Sequence, residues 1–121
     1  MRRIHTGTRF TTSVCTGSLV LGAAGLLHGL TVTTHWEAAA ELESYGAVYT
    51  AERVIRHDRV ITSAGVTSGI DMAVRLAALL TDEITAQAIQ LYTAYGPQPP
   101  FDTGSLRKAP PEVLKRARTL R

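Results

Sequence analysis

The stretch that most constrains this chain is the uncharged run from Phe10 to Leu27. Phe10 to Val14 is β-branched and aromatic, without Gly or Pro, and reads as a strand. Cys15-Thr16-Gly17 supplies a turn. Ser18 to Leu27 reads as a helix with almost no polar face, stopped by Gly29, and a helix that is apolar all round belongs in an interior. Strand, sharp turn and buried helix form the opening of an α/β layered sheet. Parallel strands need cover on both faces. Yet only nine residues, led by basic ones, precede this strand. The expectation is a partial domain, or a sheet completed through another chain. The exposed flank of the strand is then expected to promote aggregation or swapping.

The same run outlines a secretory signal, because Arg2, Arg3 and Arg9 precede it. Its residues argue otherwise. Thr11, Thr12, Ser13, Thr16 and Ser18 are polar, and Gly17, Gly22 and Gly25 interrupt the rest, whereas a membrane span needs about 20 mostly apolar residues. A cytoplasmic chain with no membrane segment is expected. A single cysteine excludes an internal disulfide and a cysteine-built zinc site. Of 13 basic residues, Arg2, Arg3, Arg9, Lys115, Arg116, Arg118 and Arg121 lie at the ends. Residues 36–95 carry no basic excess, so no groove for a phosphate backbone and no direct nucleic-acid binding are expected.

Along the chain, residues 1–9 are expected to fray. Leu30 to Thr34 is a second β-branched run, and His35 to Tyr45 is helical until Gly46. Arg53 to Arg56 and Val60 to Ser63 form a hairpin around His57-Asp58. Val66, Ile70, Ala73, Ala77 and Leu80 keep helical spacing, with Asp71 and Arg75 as an i,i+4 pair. Thr81-Asp82-Glu83 starts a further helix to about Tyr95, whose apolar stripe is Ile84, Ala88, Leu91 and Tyr95. The prolines at 97, 99 and 100 end it. A short basic helix after Pro111 belongs to a C-terminal extension, residues 102–121. The whole, 1–121, is one domain.

Ser13-Val14-Cys15-Thr16-Gly17-Ser18 places a nucleophile at a strand-to-helix turn, between small residues two positions either side, as a strained elbow requires. The start of the helix offers free N–H groups and a partial positive charge, which favour thiolate and can hold an oxyanion. From the residues alone a buried core thiol stays open as the other reading of Cys15. Gly65 and Gly69 bracket a loop entering a helix, either as an oxyanion cradle or as plain turn geometry. His5, His28, His35 and His57 form no ligand pattern, so no metal site and no cofactor are expected. His35 differs from the other three, because it ends a strand near the expected ligand edge.

The segment Ser13 to Leu27 resembles the nucleophile elbow of the ThiJ/PfpI superfamily, within the class I glutamine-amidotransferase-like fold, and more narrowly its isonitrile hydratase branch. Thr33-Thr34-His35-Trp36, Val60 to Asp71, and Gln87 to Tyr92 with Pro97 to Phe101 agree in order. The resemblance covers about Phe10 to Pro111. It implies a flavodoxin-like three-layer α/β sandwich lacking the N-terminal half of its sheet, commonly a homodimer. It implies Cys15 as nucleophile with His35 nearby and Thr16 assisting the chemistry; with the loop readings above, Thr16, Gly17 and Gly65 are the candidates around the substrate and oxyanion. Peptidase-type members carry His after the cysteine. Thr16 stands there instead, as the hydratase branch implies, so a peptidase is not expected. Family members also place an acidic residue before the elbow, in the part this chain lacks. Little hydratase activity is therefore expected of the 121 residues alone. The alternative is the ligand-sensing and dimerisation domain of an AraC-type transcription regulator, which binds a small molecule without catalysis.

Overall fold

A computed structural model describes residues 1–120. Arg121, counted above among the basic ends, lies outside the described residues. Helix α1 is Arg2–Gly7, strand β1 Thr11–Val14 and helix α2 Gly17–Ala23. Strand β2, Thr31–Val32, leads through a 3-10 turn at Trp36–Ala38 into α3, Ala39–Ser44, and then β3, Val48–Tyr49. The hairpin β4, Val54–His57, and β5, Val60–Ser63, precedes α4, Ser68–Leu80, α5, Glu83–Tyr92, and α6, Pro111–Ala117.

The main sheet has the order β1-β5-β4, with β1 parallel to β5 and β4 antiparallel to it. The β4–β5 turn passes through Asp58 at φ +54°, and the Arg56 guanidinium donates to its carbonyl. β2 and β3 form a separate parallel pair. β5, central in the main sheet, is buried at every residue. β1, expected inside a sheet, lies at the edge of this one. Its amides at Thr11 and Cys15 bond to the Arg59 and Ser63 carbonyls, so the alternate residues Thr12 and Val14 face the open edge. Val14 is 40% exposed there.

The core gathers Leu21 and Leu27 of the α2 region with Val32, Leu42, Ala47 and Val60. α2 ends earlier than its apolar run suggests. Gly25 takes φ +75°, and Arg2 Nε donates to the Ala24 carbonyl that the end of the helix leaves free. Only one face of α2 is covered. Ser18, Leu21 and Gly22 are buried while Val20 is 54% exposed. Gly22 is required by packing, since a Cβ there would lie 2.7 Å from the Tyr45 ring.

The first nine residues do not fray as expected. α1 is tied down by His5, whose Nδ1 lies 2.6 Å from Thr11 Oγ1 and whose Nε2 lies 3.2 Å from Arg59 Nη2. His28 does not end a helix. It sits in the loop after α2, with its ring against Gly46, where φ is +81°. Asp71 pairs with Arg53 at 2.8 Å rather than with Arg75, which acts on it only through its charge. α5 is capped by Asp82, whose carboxylate accepts from Thr85 N. It buries Ala86 and leaves Ile84 and Leu91 of its stripe exposed.

Candidate active site

β1 runs into Cys15, where the backbone turns to φ +56°. This left-handed conformation costs an L-residue about 1–2 kcal/mol, and a non-glycine residue holds it only where the surroundings fix it. Three bonds fix it here. The Cys15 amide donates to the Ser63 carbonyl at 2.9 Å. The Cys15 carbonyl accepts from Ser18 Oγ at 3.2 Å and from Thr34 Oγ1 at 3.1 Å. β5, the helix after the cysteine and the end of β2 thus hold the two backbone polar groups of Cys15. Cys15 is a partly buried free cysteine.

The hydroxyl groups that hold the elbow belong to a buried seam. Ser13, Ser18, Thr33, Thr34, Thr62, Ser63 and Ser68 are all buried, and they are the only buried polar residues among those described. Thr62 Oγ1 accepts from the Thr33 amide at 2.9 Å, and Ser63 Oγ donates to the Ser13 carbonyl at 3.1 Å. These two bonds join β1, β5 and the end of β2, while Ser13 Oγ and Thr33 Oγ1 have no hydrogen-bond partner. Sequence reasoning missed Thr34, Ser18 and Ser63. The pairing of Thr34 with the cysteine spans 19 residues, and nothing local announces it.

Thr16 is the residue before the first turn of α2 and is exposed. Its hydroxyl makes no capping bond. Among the described residues, the amides of Thr16 and Gly17 have no protein acceptor. Two donors therefore stand open beside the cysteine, as at any helix start. The small residue at 17 proves less strictly required than the sequence argument holds. A Cβ on Gly17 would meet Ser13 Cβ at an ordinary 3.8 Å, because Ser13 is itself small. The tighter contact is at Gly69 in the first turn of α4, where a Cβ would lie 2.9 Å from Val14 Cγ1.

His35 follows Thr34 and so stands at the same end of the sheet as the elbow. Its Nδ1 accepts a long bond, 3.4 Å, from the Glu37 amide. Its ring packs against Trp36 with centroids 5.3 Å apart. Gly65 is not placed as an oxyanion donor. Its amide donates to Ser68 Oγ at 2.6 Å, and that hydroxyl returns a bond to the Gly65 carbonyl at 2.8 Å. Its contribution is the shape of the loop entering α4.

Two clefts lie away from Cys15. One lies between α4 and α5 beside Asp71, Arg75 and Glu83, and the other lies under the C-terminal segment against Trp36. At the first, burial pulls the Asp71 carboxyl up. The Tyr95 hydroxyl, the Arg53 guanidinium and the charge of Arg75 outweigh it and hold the group below the ordinary carboxylate range. The hydrogen bond to Asp71 in turn pushes Tyr95 up. Among the described residues no His, Cys, Asp and Glu cluster suits a metal, and no helix is long and apolar enough to cross a membrane.

Comparison with known proteins bears on this geometry. Residues 1–79 match the DJ-1/PfpI family. Isonitrile hydratase of Pseudomonas putida is 51% identical over 110 residues, covering 91% of this chain and 48% of the relative. The crystal structure of a THiJ/PfpI family protein from Pseudomonas syringae superposes with a TM-score of 0.86 at 45% identity, over 92% of this chain and 46% of that one. The HTH-type transcriptional regulator CdhR of Pseudomonas aeruginosa is 46% identical over 65 residues, 52% of this chain and 19% of the regulator. The chain thus spans about half the length of the hydratase and of the solved structure it matches.

Proposed function

Because the chain belongs to the DJ-1/PfpI family, with the mixed α/β, flavodoxin-like architecture of that family and a partial sheet, we propose that it is the elbow-bearing part of a cysteine-dependent isonitrile hydratase. The observation that carries this reading is the Cys15 backbone, held at positive φ by three hydrogen bonds, with the open amides of Thr16 and Gly17 next along the chain. The 51% identity to isonitrile hydratase supports the choice of substrate.

The reaction adds water to R–N≡C and gives the N-substituted formamide. The Cys15 sulfur bonds to the terminal carbon, and that carbon takes a proton, leaving a thioimidate with a C=N bond. Water adds to the same carbon, the C–S bond breaks, the sulfur recovers its electron pair, and HC(=O)–NH–R departs. Thr16 supplies a hydroxyl proton or holds the intermediate, and the Thr16 and Gly17 amides face the oxygen as it develops charge. His35 assists as a proton carrier. Thiol, protons and water suffice, so the reading needs no metal or cofactor. It places the protein in the cytoplasm as a homodimer acting on a small molecule, with its sheet incomplete and its activity weak as this chain alone.

The test is formamide production from an isonitrile at high protein concentration, beside Cys15→Ala. Slow turnover that the substitution abolishes is expected. Turnover indifferent to the substitution, or none at all with no protection of Cys15 from iodoacetamide by the isonitrile, removes the reading. The second reading, a ligand-sensing domain of an AraC-type regulator, is favoured by the likeness to CdhR. It predicts reversible ligand binding that survives Cys15→Ala.

A further inference from the structure

One peptide unit links the elbow to the far side of the main sheet. The Ser63 carbonyl accepts from the Cys15 amide at 2.9 Å, and the N–H of the same peptide, that of Ala64, donates to the Arg53 carbonyl at 2.9 Å. Arg53 stands just before β4, and it faces this peptide because Val54 pairs with Ser63 in the antiparallel register. The backbones of Cys15 and Arg53 thus hold opposite sides of one peptide. The Arg53 side chain carries the connection further, since its Nε donates to Asp71 Oδ2 at 2.8 Å.

Asp71 lies in the first turn of α4, a helix with no side-chain cap at its start. Its other oxygen, Oδ1, accepts from the Tyr95 hydroxyl, which comes from beyond the end of α5. The same turn of α4 passes close to the elbow strand. A Cβ on Gly69 would lie 2.9 Å from Cγ1 of Val14, the residue before the cysteine. The Asp71 carboxylate therefore ties to Arg53 and Tyr95 a turn that also borders β1. As a surface ion pair it adds little to global stability, because the side chains of Arg53 and Asp71 are 55% and 36% exposed. Its connections give it a local role instead.

We propose that Asp71 is a positioning residue for Cys15. Held by Arg53 and Tyr95, it sets where the first turn of α4 lies against Val14, and the Ser63–Ala64 peptide carries that setting to the Cys15 amide. The inference rests on the reading of Cys15 as a nucleophile and adds to it a group outside the elbow that governs its reactivity. Asp71 acts through the backbone and through Val14, and Arg53 and Tyr95 act through Asp71.

Amide hydrogen exchange, read by NMR on the whole chain, separates positioning from general support. A global loss of stability speeds all core amides together, whereas a local release speeds only its own segment. Tyr95→Phe and Asp71→Asn should each speed exchange at Cys15, Ala64 and Gly69 by about tenfold, the worth of one hydrogen bond to a charged group. The amides of Leu42 and Ile61, two fully buried core residues, should change much less. Arg53→Lys keeps a donor for the single bond to Oδ2 and should stay near wild type, while Arg53→Met should follow Asp71→Asn. Gly69→Ala, which presses on Val14 from the α4 side, should give the same pattern. Iodoacetamide alkylation of Cys15 should slow severalfold in Tyr95→Phe, Asp71→Asn and Arg53→Met, and recover in Arg53→Lys. If exchange at Cys15 and Ala64 rises no more than at Leu42 and Ile61, the positioning assignment is wrong, and the nucleophile reading stands on its own tests. If wild-type Cys15 alkylates no faster than free cysteine, the nucleophile reading falls and the assignment falls with it.

Discussion

Replacing Cys15 by glycine and, separately, by alanine isolates the backbone strain of the elbow. Both changes delete the thiol, so its packing and chemistry cancel in the comparison. At φ +56° the alanine Cβ keeps the steric cost of the left-handed region, about 1–2 kcal/mol, which glycine escapes. Glycine in turn loses about 0.4–1 kcal/mol through its greater freedom in the unfolded chain. The difference leaves Cys15→Gly more stable than Cys15→Ala by about 1 kcal/mol, or about 4 °C in melting temperature for a chain of this size. The sign is the diagnostic part, since glycine is ordinarily the less stable of the two by about 0.5–1 kcal/mol in a regular element. Thermal and urea unfolding of the two variants, followed by circular dichroism, read the gap. Thr34→Val removes one of the two hydroxyls on the Cys15 carbonyl, costs about 1 kcal/mol by itself, and should narrow the gap, because the elbow is then less firmly held. Equal stability, or a more stable alanine variant, would refute the claim that this residue is kept in a strained turn.

Three further outcomes follow from the packing and charges. Gly22→Ala puts a Cβ 2.7 Å from the Tyr45 ring and should cost about 1–3 kcal/mol, partly recovered by adding Tyr45→Ala, as a double-mutant cycle measures. Asp71 has its folded-state carboxyl held below the ordinary range, burial raising it and the Tyr95, Arg53 and Arg75 interactions lowering it further. Its stabilising contribution is therefore complete above the unfolded-state value near about 3.9 and fades as pH falls through the folded one. Asp71→Asn should melt below wild type at neutral pH and converge with it in acid, and Tyr95→Phe should move the Asp71 titration upward by NMR. Finally, the open edge of β1 should drive self-association with rising concentration. Sedimentation showing a monodisperse, cooperatively melting monomer would contradict that.

Much of the site was legible because its signals are local. The elbow is six consecutive residues, the β4–β5 hairpin is written in two β-branched runs around Asp58, and the start of α5 is marked by Asp82. What escaped reading depends on contacts between distant parts of the chain. α1 has no apolar periodicity, and its anchor, His5, finds Arg59 across 54 positions. β2 and β3 pair over two residues each, too few to leave an alternating pattern. The apolar run Ser18–Leu27 suggested a longer, fully buried helix. Glycine at 25, in a left-handed turn capped by Arg2, stops it early, and only one side of it meets the core. Serine and threonine are ordinarily surface or turn residues, so the burial of seven hydroxyl side chains is unreadable until strands and helix starts from distant places in the sequence are laid together. Gly65 stayed open between an oxyanion cradle and turn geometry for the same reason, and the folded loop, in which Ser68 claims its amide, fits the second.

The central claim is that this fold presents Cys15 as a nucleophile. The rate of iodoacetamide alkylation at Cys15, followed by intact mass and peptide mapping at about pH 6.5 against a free cysteine, tests it most directly, because a thiol at a helix start reacts through its thiolate. The account predicts alkylation faster than the free thiol, slowed in Thr34→Val. Alkylation at or below the free-thiol rate, unchanged by that substitution, would contradict it.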